Sequence, residues 1–506
     1  MYKNEGLLIG KNDKKEVYLL PSMANRHGLI TGASGTGKTI TSKVMAESLS
    51  DLGVPVFMAD VKGDLSGTAT CDEGITENIQ KRVDKLKLDG FEPKAFPVAF
   101  WDVYKQKGNP IRFKVSEIGP SILSIMLGLS EVQEGVLNII FKAAEKDNYE
   151  LDNLDDLKHM LNHVSNNKKD YSELGNVTTQ SVGVIIRSLS VLENQGLDNF
   201  FGTPEFKIDY LLRHKDEKGV INILDAVELY KNPDLYSAVM LCLLTKLYDY
   251  MPEVGDLDKP KIVFFFDEAY FLFREMPSYR LKQVEKIVRL IRSKGIGLYF
   301  ISHYTTDIPA TVLDQLGNRV QHNLRAYTPA DQKIAKAAAD SFRTNPEFKT
   351  YDTILELGTG EAIVSFQNEK GEPEVCERVF ILPPQSKIGV IDDSTRLRIM
   401  NNYSFDDVAY LDGEDRTSAH EKLKEKELEE ENKKAEEQRI KDEEKAKKEQ
   451  EKLDEKARKQ KEKEEREAER KKKNSVPRKV GRRVASRVEG RLITRALNAI
   501  EKMFKK

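Results

Sequence analysis

Residues 29–43 read LITGASGTGKTITSK, and this short stretch decides the fold. Gly32, Gly37, Lys38 and Thr39 satisfy the pattern G-x-x-x-x-G-K-[ST] without a mismatch. The glycines of such a loop let backbone N–H groups converge on phosphate oxygens, and the following helix turns its positive N-terminal end to the same anion. An ordinary glycine-rich turn could match the pattern as well. Because an apolar strand precedes the loop and a helix is predicted after it, we interpret it as a phosphate-binding loop.

The loop predicts a site for a nucleotide and a magnesium ion. The Lys38 ammonium is expected to reach the β- and γ-phosphates, and the Thr39 hydroxyl is expected to ligate Mg²⁺. The whole loop is expected to contact the nucleotide, namely Gly32, Ala33, Ser34, Gly35, Thr36, Gly37, Lys38 and Thr39.

The second half of the site is predicted where an apolar strand ends in acidic residues. The run IVFFFDEA places five apolar residues directly before Asp267 and Glu268. Asp267 is expected to hold Mg²⁺ through water, and Glu268 to orient and polarise the attacking water. An Asp-Glu pair could also do no more than end a strand and cap a helix. Since both motifs lie on predicted strand ends in the expected order, nucleotide hydrolysis is the favoured interpretation.

Hydrophobic patterning predicts an α/β fold. The leader LLIGKNDKKEVYLLP is typical of a hairpin, and apolar runs such as VPVFMAD, GVINILDA, GIGLYFISH, VQHNLRAY, EAIVSF and VCERVFIL alternate with helical segments. Such strands indicate a mostly parallel sheet that helices cover on both faces. Residues 72–215 are predicted to form a helical insertion between an N-terminal part of the core, residues 1–71, and a C-terminal part, residues 216–410.

Charge is distributed unevenly along the 506 residues. Residues 1–420 carry 50 basic and 61 acidic side chains, whereas residues 475–506 carry 10 basic and 2 acidic ones. The acidic body argues against a broad basic surface for DNA, although a ring with a basic pore could still carry one. The cysteines, Cys71, Cys242 and Cys376, are far apart, which supports neither a disulfide framework nor a zinc site.

The C-terminal region is predicted to consist of two different segments. Residues 411–474 are expected to be a charged single helix or a linker, because residues 421–473 are mostly charged helix formers without an apolar heptad, which disfavours a coiled coil. Residues 475–506 place apolar side chains four apart beside a row of arginines, which indicates a basic amphipathic helix. That helix could pack on a protein partner, a membrane surface or nucleic acid.

Targeting signals are absent from the sequence pattern. The first residues, MYKNEGLLIGKNDKKE, lack the apolar core of a signal peptide. No apolar run reaches the roughly 18 residues that a membrane span requires. We therefore expect a cytoplasmic protein that is at most peripheral at a membrane.

Several long strings of this sequence resemble one family. TGASGTGKT, VPVFMADVKGDLSG, VINILDA, KPKIVFFFDEA, VRLIRSKGIGLYFIS and LGNRVQHNLRAYTPADQK are similar to the bacterial HerA-like NTPases typified by YjgR, and the resemblance covers roughly residues 1–400. It implies a P-loop NTPase core of the RecA/ASCE type that uses ATP and Mg²⁺. It also implies membership of the HerA/FtsK superfamily of motors, many of which form hexameric rings that move DNA or protein.

Two functions remain open at this point. The leading hypothesis is a ring-forming ATPase that translocates DNA or acts like a helicase, in which the chain is a homo-oligomer. The alternative is an ATP-gated oligomeric scaffold, which the charged tail tethers to a membrane or to a protein partner.

The resemblance also implies roles for residues outside the two motifs. His303 follows the strand GLYFIS, where relatives usually carry a glutamine that senses the γ-phosphate. Imidazole can also donate a hydrogen bond, so His303 could serve as the sensor. The alternative is a histidine with a purely structural role at the strand end. Asp60 and Asp64, in ADVKGD, lie where the superfamily places acidic residues beside the phosphates. A solvated turn residue explains Asp64 almost equally well.

An arginine from a neighbouring subunit is the last implied element. Arg292, in RLIRSKGIG, matches the position from which HerA-type motors send an arginine into the adjacent site. There it would stabilise charge on the transferred phosphoryl group. Arg289 is the second choice, and Arg319 and Arg325 are weaker candidates. An ordinary surface salt bridge is the alternative for each of them.

Overall fold

A computed structural model describes residues 2–3, 6–274, 276, 278–402, 410–411, 413–414 and 417–473 of the chain. Residues 1–425 form one compact unit, and residues 426–506 form a second unit. The first unit contains the sheet and both predicted motifs. The described part of the second unit is helical.

The strands are short, and most of them belong to one large sheet. The N-terminal hairpin predicted from the sequence is confirmed by an antiparallel pair, β2 and β3. The strands of the described residues, in chain order, are β1 Tyr2–Lys3, β2 Gly6–Lys11, β3 Glu16–Leu19, β4 Gly28–Thr31, β5 Val56–Asp60, β6 Val98–Asp102, β7 Asn109–Pro110, β8 His214–Lys215, β9 Lys218–Gly219, β10 Ile221–Asp225, β11 Ile262–Phe266, β12 Ile296–Ser302, β13 Asn318–Gln321, β14 Glu361–Ser365 and β15 Glu377–Ile381.

The α-helices separate most of these strands. The helix predicted after the phosphate-binding loop is confirmed, and it begins at Lys38. The helices of the described residues are α1 Lys38–Asp51, α2 Glu77–Leu86, α3 Val115–Met126, α4 Glu131–Lys146, α5 Leu154–Asn166, α6 Thr179–Asn194, α7 Pro233–Tyr250, α8 Ser278–Ile291, α9 Ala310–Leu313, α10 Pro329–Asp340, α11 Thr350–Glu356, α12 Asp393–Asn402 and α13 Ala419–Lys473.

The large sheet is parallel in its centre and antiparallel on one side. Its strand order is β1-β2-β15-β14-β13-β4-β12-β11-β5-β10-β6-β7, with β3 beside β2. The strands from β13 to β7 run parallel, whereas β14, β15 and β2 pair antiparallel. This confirms the predicted mostly parallel sheet. Because parallel strands end at one common edge, ligands of such sheets bind outside their carboxyl ends.

Two hydrophobic cores cover the faces of the sheet. In β11, Ile262, Phe264 and Phe266 belong to one core, and Val263 and Phe265 belong to the other. Successive side chains of a strand point to opposite faces, so a strand without polar residues must be covered twice. Residues of α3 to α8 contribute to the first core, and residues of α1 contribute to the second.

The region of the predicted insertion is largely helical but also contains a core strand. α2 to α6 lie between residues 72 and 215, as expected. β6, which has the sequence VAFWD, pairs with β10 in the large sheet and is buried along its whole length. β6 thus adds a strand of the large sheet to this mostly helical region, because an apolar run of this kind fits the sheet interior. The boundaries at residues 71, 215 and 410 stay predictions.

A long charged helix follows the sheet, as the sequence predicts. α13 spans 55 residues, of which only Ala419 and Leu423 are buried. Its later apolar residues, Leu428, Ile440 and Leu453, are 60%, 49% and 58% exposed. The basic amphipathic helix predicted for residues 475–506 lies outside the described residues. Within the described ranges, no helix combines the length and the apolar character needed to cross a membrane.

Candidate nucleotide site

The loop between β4 and α1 has a backbone that favours glycine. Gly32, Gly35 and Gly37 have φ angles of 152°, 77° and 121°, in the left-handed region that other residues rarely adopt. A Cβ atom added at Gly32 would lie 2.5 Å from the Cβ of His322. The N–H groups of Ser34, Gly35 and Gly37 donate to no described residue. These donors are therefore available for phosphate oxygens.

Three segments from the last two fifths of the chain hold this loop in place. The N–H groups of its first two residues donate to the carbonyl oxygens of His303 and Asn323, over 3.2 and 2.9 Å. The N–H of Gly360 donates to the carbonyl oxygen of Thr36 at 2.9 Å. The ends of β12 and β13 and the turn before β14 thus fix the loop geometry.

His322 supports the loop from the protein interior. Its Nδ1 lies 2.8 Å from the carbonyl oxygen of Glu361, and its Nε2 lies 2.8 Å from Oγ1 of Thr41 in α1. Burial lowers the pKa of His322 to about 4, so the ring is neutral at pH 7. Nδ1–H must therefore donate to the carbonyl, and Nε2 accepts from the hydroxyl. A histidine at a strand end is the only sign of this role in the sequence.

Lys38 begins α1 and turns back over the loop. Its ammonium donates to the carbonyl oxygen of Gly32 at 2.6 Å and to that of Ala33 at 3.3 Å. The residue is only 6% exposed. Burial lowers the pKa of Lys38, whereas the nearby Glu268 opposes that shift. The ammonium is thus placed between the loop and the acidic end of β11, where the motif predicts it.

The acidic pair directly follows β11 at the same edge. The Tyr236 hydroxyl donates to the backbone carbonyl of Asp267 at 2.5 Å, and the Glu268 N–H donates to Oδ1 of Asp267 at 3.0 Å. Glu268 has a φ of 49°, a backbone conformation that a residue with a side chain seldom adopts. Its Oε2 is buried and accepts no hydrogen bond from the described residues. This oxygen is suited to bind the attacking water.

The electrostatics of the pair follow from burial. Burial raises the pKa of Asp267 to about 6, with a further contribution from the charge of Glu268. Burial also raises the pKa of Glu268, and the charge of Lys38 opposes that shift. Both carboxylates therefore depend on nearby cations to stay ionised near neutral pH.

His303 lies beside this pair, as the family resemblance implies. Its Nε2 is 3.5 Å from Oε2 of Glu268. Burial, followed by the charge of Lys38, lowers the pKa of His303, so the ring is neutral at pH 7. The contact is therefore not an ion pair at that pH. A neutral imidazole can still donate one hydrogen bond, so the geometry leaves the predicted sensor role open.

Asp60 shapes the turn after β5. Its carboxylate accepts hydrogen bonds from the N–H groups of Gly63, Asp64 and Leu65 at 2.7, 3.1 and 2.9 Å. Burial raises the pKa of Asp60 to about 6, and these N–H groups oppose the shift. The carboxylate is thus engaged with its own backbone. Direct contact of Asp60 or Asp64 with a nucleotide stays a prediction.

Two further charged residues belong to the site. Lys62 lies in the turn after β5, and its charge acts on Lys38, Asp267 and Glu268. Asp307 accepts hydrogen bonds from the Ser302 hydroxyl at 2.6 Å and from a backbone N–H at 2.8 Å. Sequence reasoning missed both, although Lys62 stands within the string ADVKGD.

Arg292 lies at the opposite edge of the sheet. It follows α8 and precedes β12, and β12 is parallel to β4. The phosphate-binding loop follows the carboxyl end of β4, so the seven residues of β12, about 20 Å, lie between the arginine and its own site. The Nη2 atom of Arg292 lies 3.3 Å from Oδ1 of Asp256. Arg292 is therefore not part of the site of its own subunit.

The other arginines considered for a role in a neighbouring site lie in three different environments. Arg319 donates to the carbonyl oxygens of Leu316, Ser341 and Leu313, which is a structural role. Arg289 is exposed on α8. Arg325 is exposed beyond the carboxyl end of β13, at the same edge as the phosphate-binding loop.

The donors at this edge fit ATP with Mg²⁺. Thr39 lies in the first turn of α1, where its hydroxyl is a suitable magnesium ligand, and Asp267 offers a carboxylate. The N–H groups of the loop and the Lys38 ammonium suit phosphate oxygens. The unpartnered Oε2 of Glu268 suits a water molecule.

Fold and site together define the class of protein. A phosphate-binding loop after β4, an acidic pair after β11 and the intervening β12 form the arrangement of a P-loop NTPase. The family model Helicase HerA-like C-terminal matches residues 5–503. The chain belongs to this family, which confirms the resemblance seen in the sequence.

The chain is similar to two proteins that carry the name DNA double-strand break repair helicase HerA. This chain is 23% identical over 365 residues to the DNA double-strand break repair helicase HerA of Saccharolobus solfataricus, covering 71% of this chain and 65% of that protein. It is 20% identical over 366 residues to the protein of the same name from Sulfolobus acidocaldarius, covering 71% and 66%. The chain thus spans slightly less than two thirds of the length of these relatives.

Solved structures with a similar chain trace have low identity. VirB4 of Thermoanaerobacter pseudethanolicus is 14% identical, with 78% of this chain and 99% of that chain covered and a TM-score of 0.48. The plasmid coupling protein TrwB in complex with the GTP analogue GDPNP is 13% identical, with 77% and 91% covered and a TM-score of 0.49.

Proposed function

We propose that this protein is an ATP-hydrolysing motor of the HerA type that works as a ring on DNA. The observation that carries the proposal is the meeting of Lys38, Asp267, Glu268 and His303 at one sheet edge, from segments far apart in sequence. A buried carboxylate beside a phosphate-loop lysine is the arrangement that nucleotide hydrolysis uses.

Each residue has a defined task in this proposal. Lys38 and the loop N–H groups bind the phosphates, and Thr39 and Asp267 hold Mg²⁺, which neutralises charge on the phosphates when bound. Glu268 orients a water molecule at Oε2 and accepts its proton. His303 donates a hydrogen bond from its neutral ring toward the same region.

The hydrolysis step is tested by phosphate release from ATP in the presence of Mg²⁺. The wild-type chain is expected to release phosphate, and Lys38→Ala is expected to release almost none. Equal phosphate release by both proteins would contradict the site, and no release by a folded wild-type protein would contradict the activity.

DNA is the proposed substrate because the relatives from Saccharolobus solfataricus and Sulfolobus acidocaldarius carry the name DNA double-strand break repair helicase. The acidic net charge of residues 1–420 argues against a broad basic surface, so DNA contact is expected in a restricted region such as a ring pore. ATP hydrolysis should be compared without nucleic acid and with duplex DNA, single-stranded DNA or RNA. Stimulation by DNA alone supports the proposal, and equal rates in every condition contradict it without affecting the ATPase assignment.

A homo-oligomeric ring, with six subunits as the expected number, completes the proposal. The placement of Arg292 away from its own site supports a role in the site of a neighbour. Membership of a helicase-like family favours this motor over the ATP-gated scaffold. A cytoplasmic location, and contact of residues 475–506 with a membrane or a protein, remain predictions.

A further inference from the structure

The carboxyl ends of β5 and β11 lie side by side. The strands are parallel, and Phe265 is the register partner of Met58. Two residues further along each strand, Asp267 lies beside Asp60 at the same edge. Lys62 follows Asp60 by two positions, so its backbone starts next to the acidic pair.

The turn that carries Lys62 has a fixed backbone. The carboxylate of Asp60 accepts the N–H groups of the three residues after Lys62, at distances of 2.7 to 3.1 Å. Gly63 has a φ of 76°, which favours glycine in this turn. The Lys62 side chain is nevertheless exposed.

The Lys62 ammonium is available for a ligand. Among the described residues, it forms no hydrogen bond and no ion pair within 4.0 Å. Its charge nevertheless acts on Lys38, Asp267, Glu268 and His303, so it lies near all the main groups of the site. The buried Oε2 of Glu268, in the same site, also lacks a hydrogen-bond partner among the described residues.

Besides Mg²⁺, which would neutralise part of its charge, the terminal phosphate can use more positive charge than Lys38 supplies. Three carboxylates, those of Asp267, Glu268 and Asp307, act electrostatically within this site. They repel the terminal phosphate, and the charge of that group must be stabilised further during transfer. A flexible lysine at the neighbouring strand end can turn toward that group without breaking an existing interaction.

We propose that Lys62 is a second catalytic lysine, which binds the terminal phosphate of ATP together with Lys38. The inference rests on the proposed ATPase function and adds a residue to its site. Since ADP lacks the terminal phosphate, Lys62 distinguishes ATP from ADP.

The test uses three variants of the full chain. Lys62→Ala removes the cation, and Lys62→Arg keeps the charge at a similar distance. Lys81→Ala is the matched control, because Lys81 is an exposed lysine on α2 and its ion pair with Glu77 is itself exposed. Phosphate release gives kcat and KM, and equilibrium titration with ATP and ADP gives both affinities. Thermal unfolding verifies that each variant is folded.

Lys62→Ala is expected to lower kcat by about 10- to 100-fold, the size typical of one lost transition-state donor. ATP affinity is expected to fall by about tenfold while ADP affinity changes less than about twofold. Lys62→Arg should recover part of both losses, and Lys81→Ala should match the wild type. If Lys62→Ala keeps wild-type kcat and the wild-type ratio of ATP to ADP affinity, the proposal is overturned. If the wild type itself releases no phosphate, the ATPase assignment fails, and the affinity ratio alone decides the role of Lys62.

Discussion

The two edges of the parallel strands place charged groups in opposite environments. At the carboxyl edge, Lys38 and Glu268 are only 6% and 5% exposed. At the amino edge, Arg292 pairs with Asp256, whose side chain is 81% exposed. The same strands therefore separate a buried charged site from solvated charges that another chain can reach.

The charged groups at the carboxyl edge are buried, whereas those at the amino edge are solvated. Desolvation raises the pKa of Asp267 and lowers that of Lys38, and the opposite charges at the carboxyl edge oppose both shifts. An exposed pair such as Arg292 and Asp256 contributes little to stability. Substitutions at the carboxyl edge should therefore change nucleotide chemistry strongly, whereas those of the exposed charges at the amino edge should change it only through a neighbouring subunit.

The largest effect is expected from Lys38→Ala. Removing the ammonium deletes the main point charge on the phosphates, so ATP affinity should fall by at least about 100-fold. Titration with ATP, together with a circular dichroism spectrum to verify folding, measures this loss. Unchanged affinity in the folded variant would refute the site at the carboxyl edge.

Glu268→Gln should have the next largest effect. The amide keeps the shape and the binding groups but cannot accept a proton from water, so turnover should fall by about 100-fold or more while ATP remains bound. Single-turnover hydrolysis and an ATP titration separate the two quantities. Wild-type turnover would mean that another acid at this edge, first of all Asp64, performs the task.

Arg292→Ala tests whether the amino edge acts on a neighbour. The variant should bind ATP and assemble normally but hydrolyse about 10- to 100-fold more slowly, because the missing charge acts on the transition state. Asp256→Ala is the matched control, since it removes the ion-pair partner within the subunit and leaves the arginine in place. Wild-type activity of Arg292→Ala would show that this edge has no part in hydrolysis.

Assemblies of two different variants test directly whether Arg292 acts on the site of a neighbouring subunit. When Arg292→Ala and Glu268→Gln subunits are combined, some interfaces pair an intact Glu268 with an intact Arg292, and part of the activity should return. Activity per subunit should also rise with protein concentration as rings form. A strictly monomeric preparation with the full rate would exclude action of Arg292 on a neighbour.

The smallest effects concern one buried histidine near each end of β4. Burial lowers the pKa of His27 and of His322 to about 4, from an ordinary value of 6.5. Between these pH values the unfolded chain binds protons that the folded chain does not, so the free energy of unfolding should fall as pH drops from 6.5 to 4. Gln in place of either histidine should weaken this pH dependence by about 1–3 kcal/mol, measured by denaturant unfolding at pH 7 and pH 5.

The two histidines should differ in nucleotide binding. His322 supports the phosphate-binding loop, whereas His27 contacts the backbone of Val288 and Leu298 at the other edge. His322→Gln should therefore weaken ATP binding several-fold, and His27→Gln should leave it unchanged. Equal ATP affinities in the two variants would contradict the supporting role of His322.

The sequence predicted those parts of the fold and site that depend on local patterns. The glycines of the phosphate-binding loop and the apolar run before Asp267 are local signals, because each reflects a backbone or burial requirement of its own segment. Strand pairing is not local. The sequence therefore did not reveal β6 as a strand of the large sheet within the region predicted to be helical, despite its apolar residues. The boundaries of the predicted helical insertion have no local sequence pattern of this kind.

The residues that were missed are those positioned by pairing between distant segments. Lys62 is next to Asp267 only because β5 pairs with β11, and His322 lies under the loop only because β13 pairs with β4. A single sequence contains no direct signal for such proximity. The lowered pKa of His303 likewise depends on burial, which follows from the assembled sheet.

The strand order has a consequence for the synthesis of this chain on the ribosome. β4 ends at residue 31 and pairs with β12 and β13, which begin at residues 296 and 318, so its partners emerge long after it. At about 5–20 residues per second, this first of the parallel strands waits roughly 15 to 50 seconds for a partner. The nascent protein therefore has a long period in which exposed apolar strands invite aggregation, and we expect its yield of folded protein to depend on chaperones.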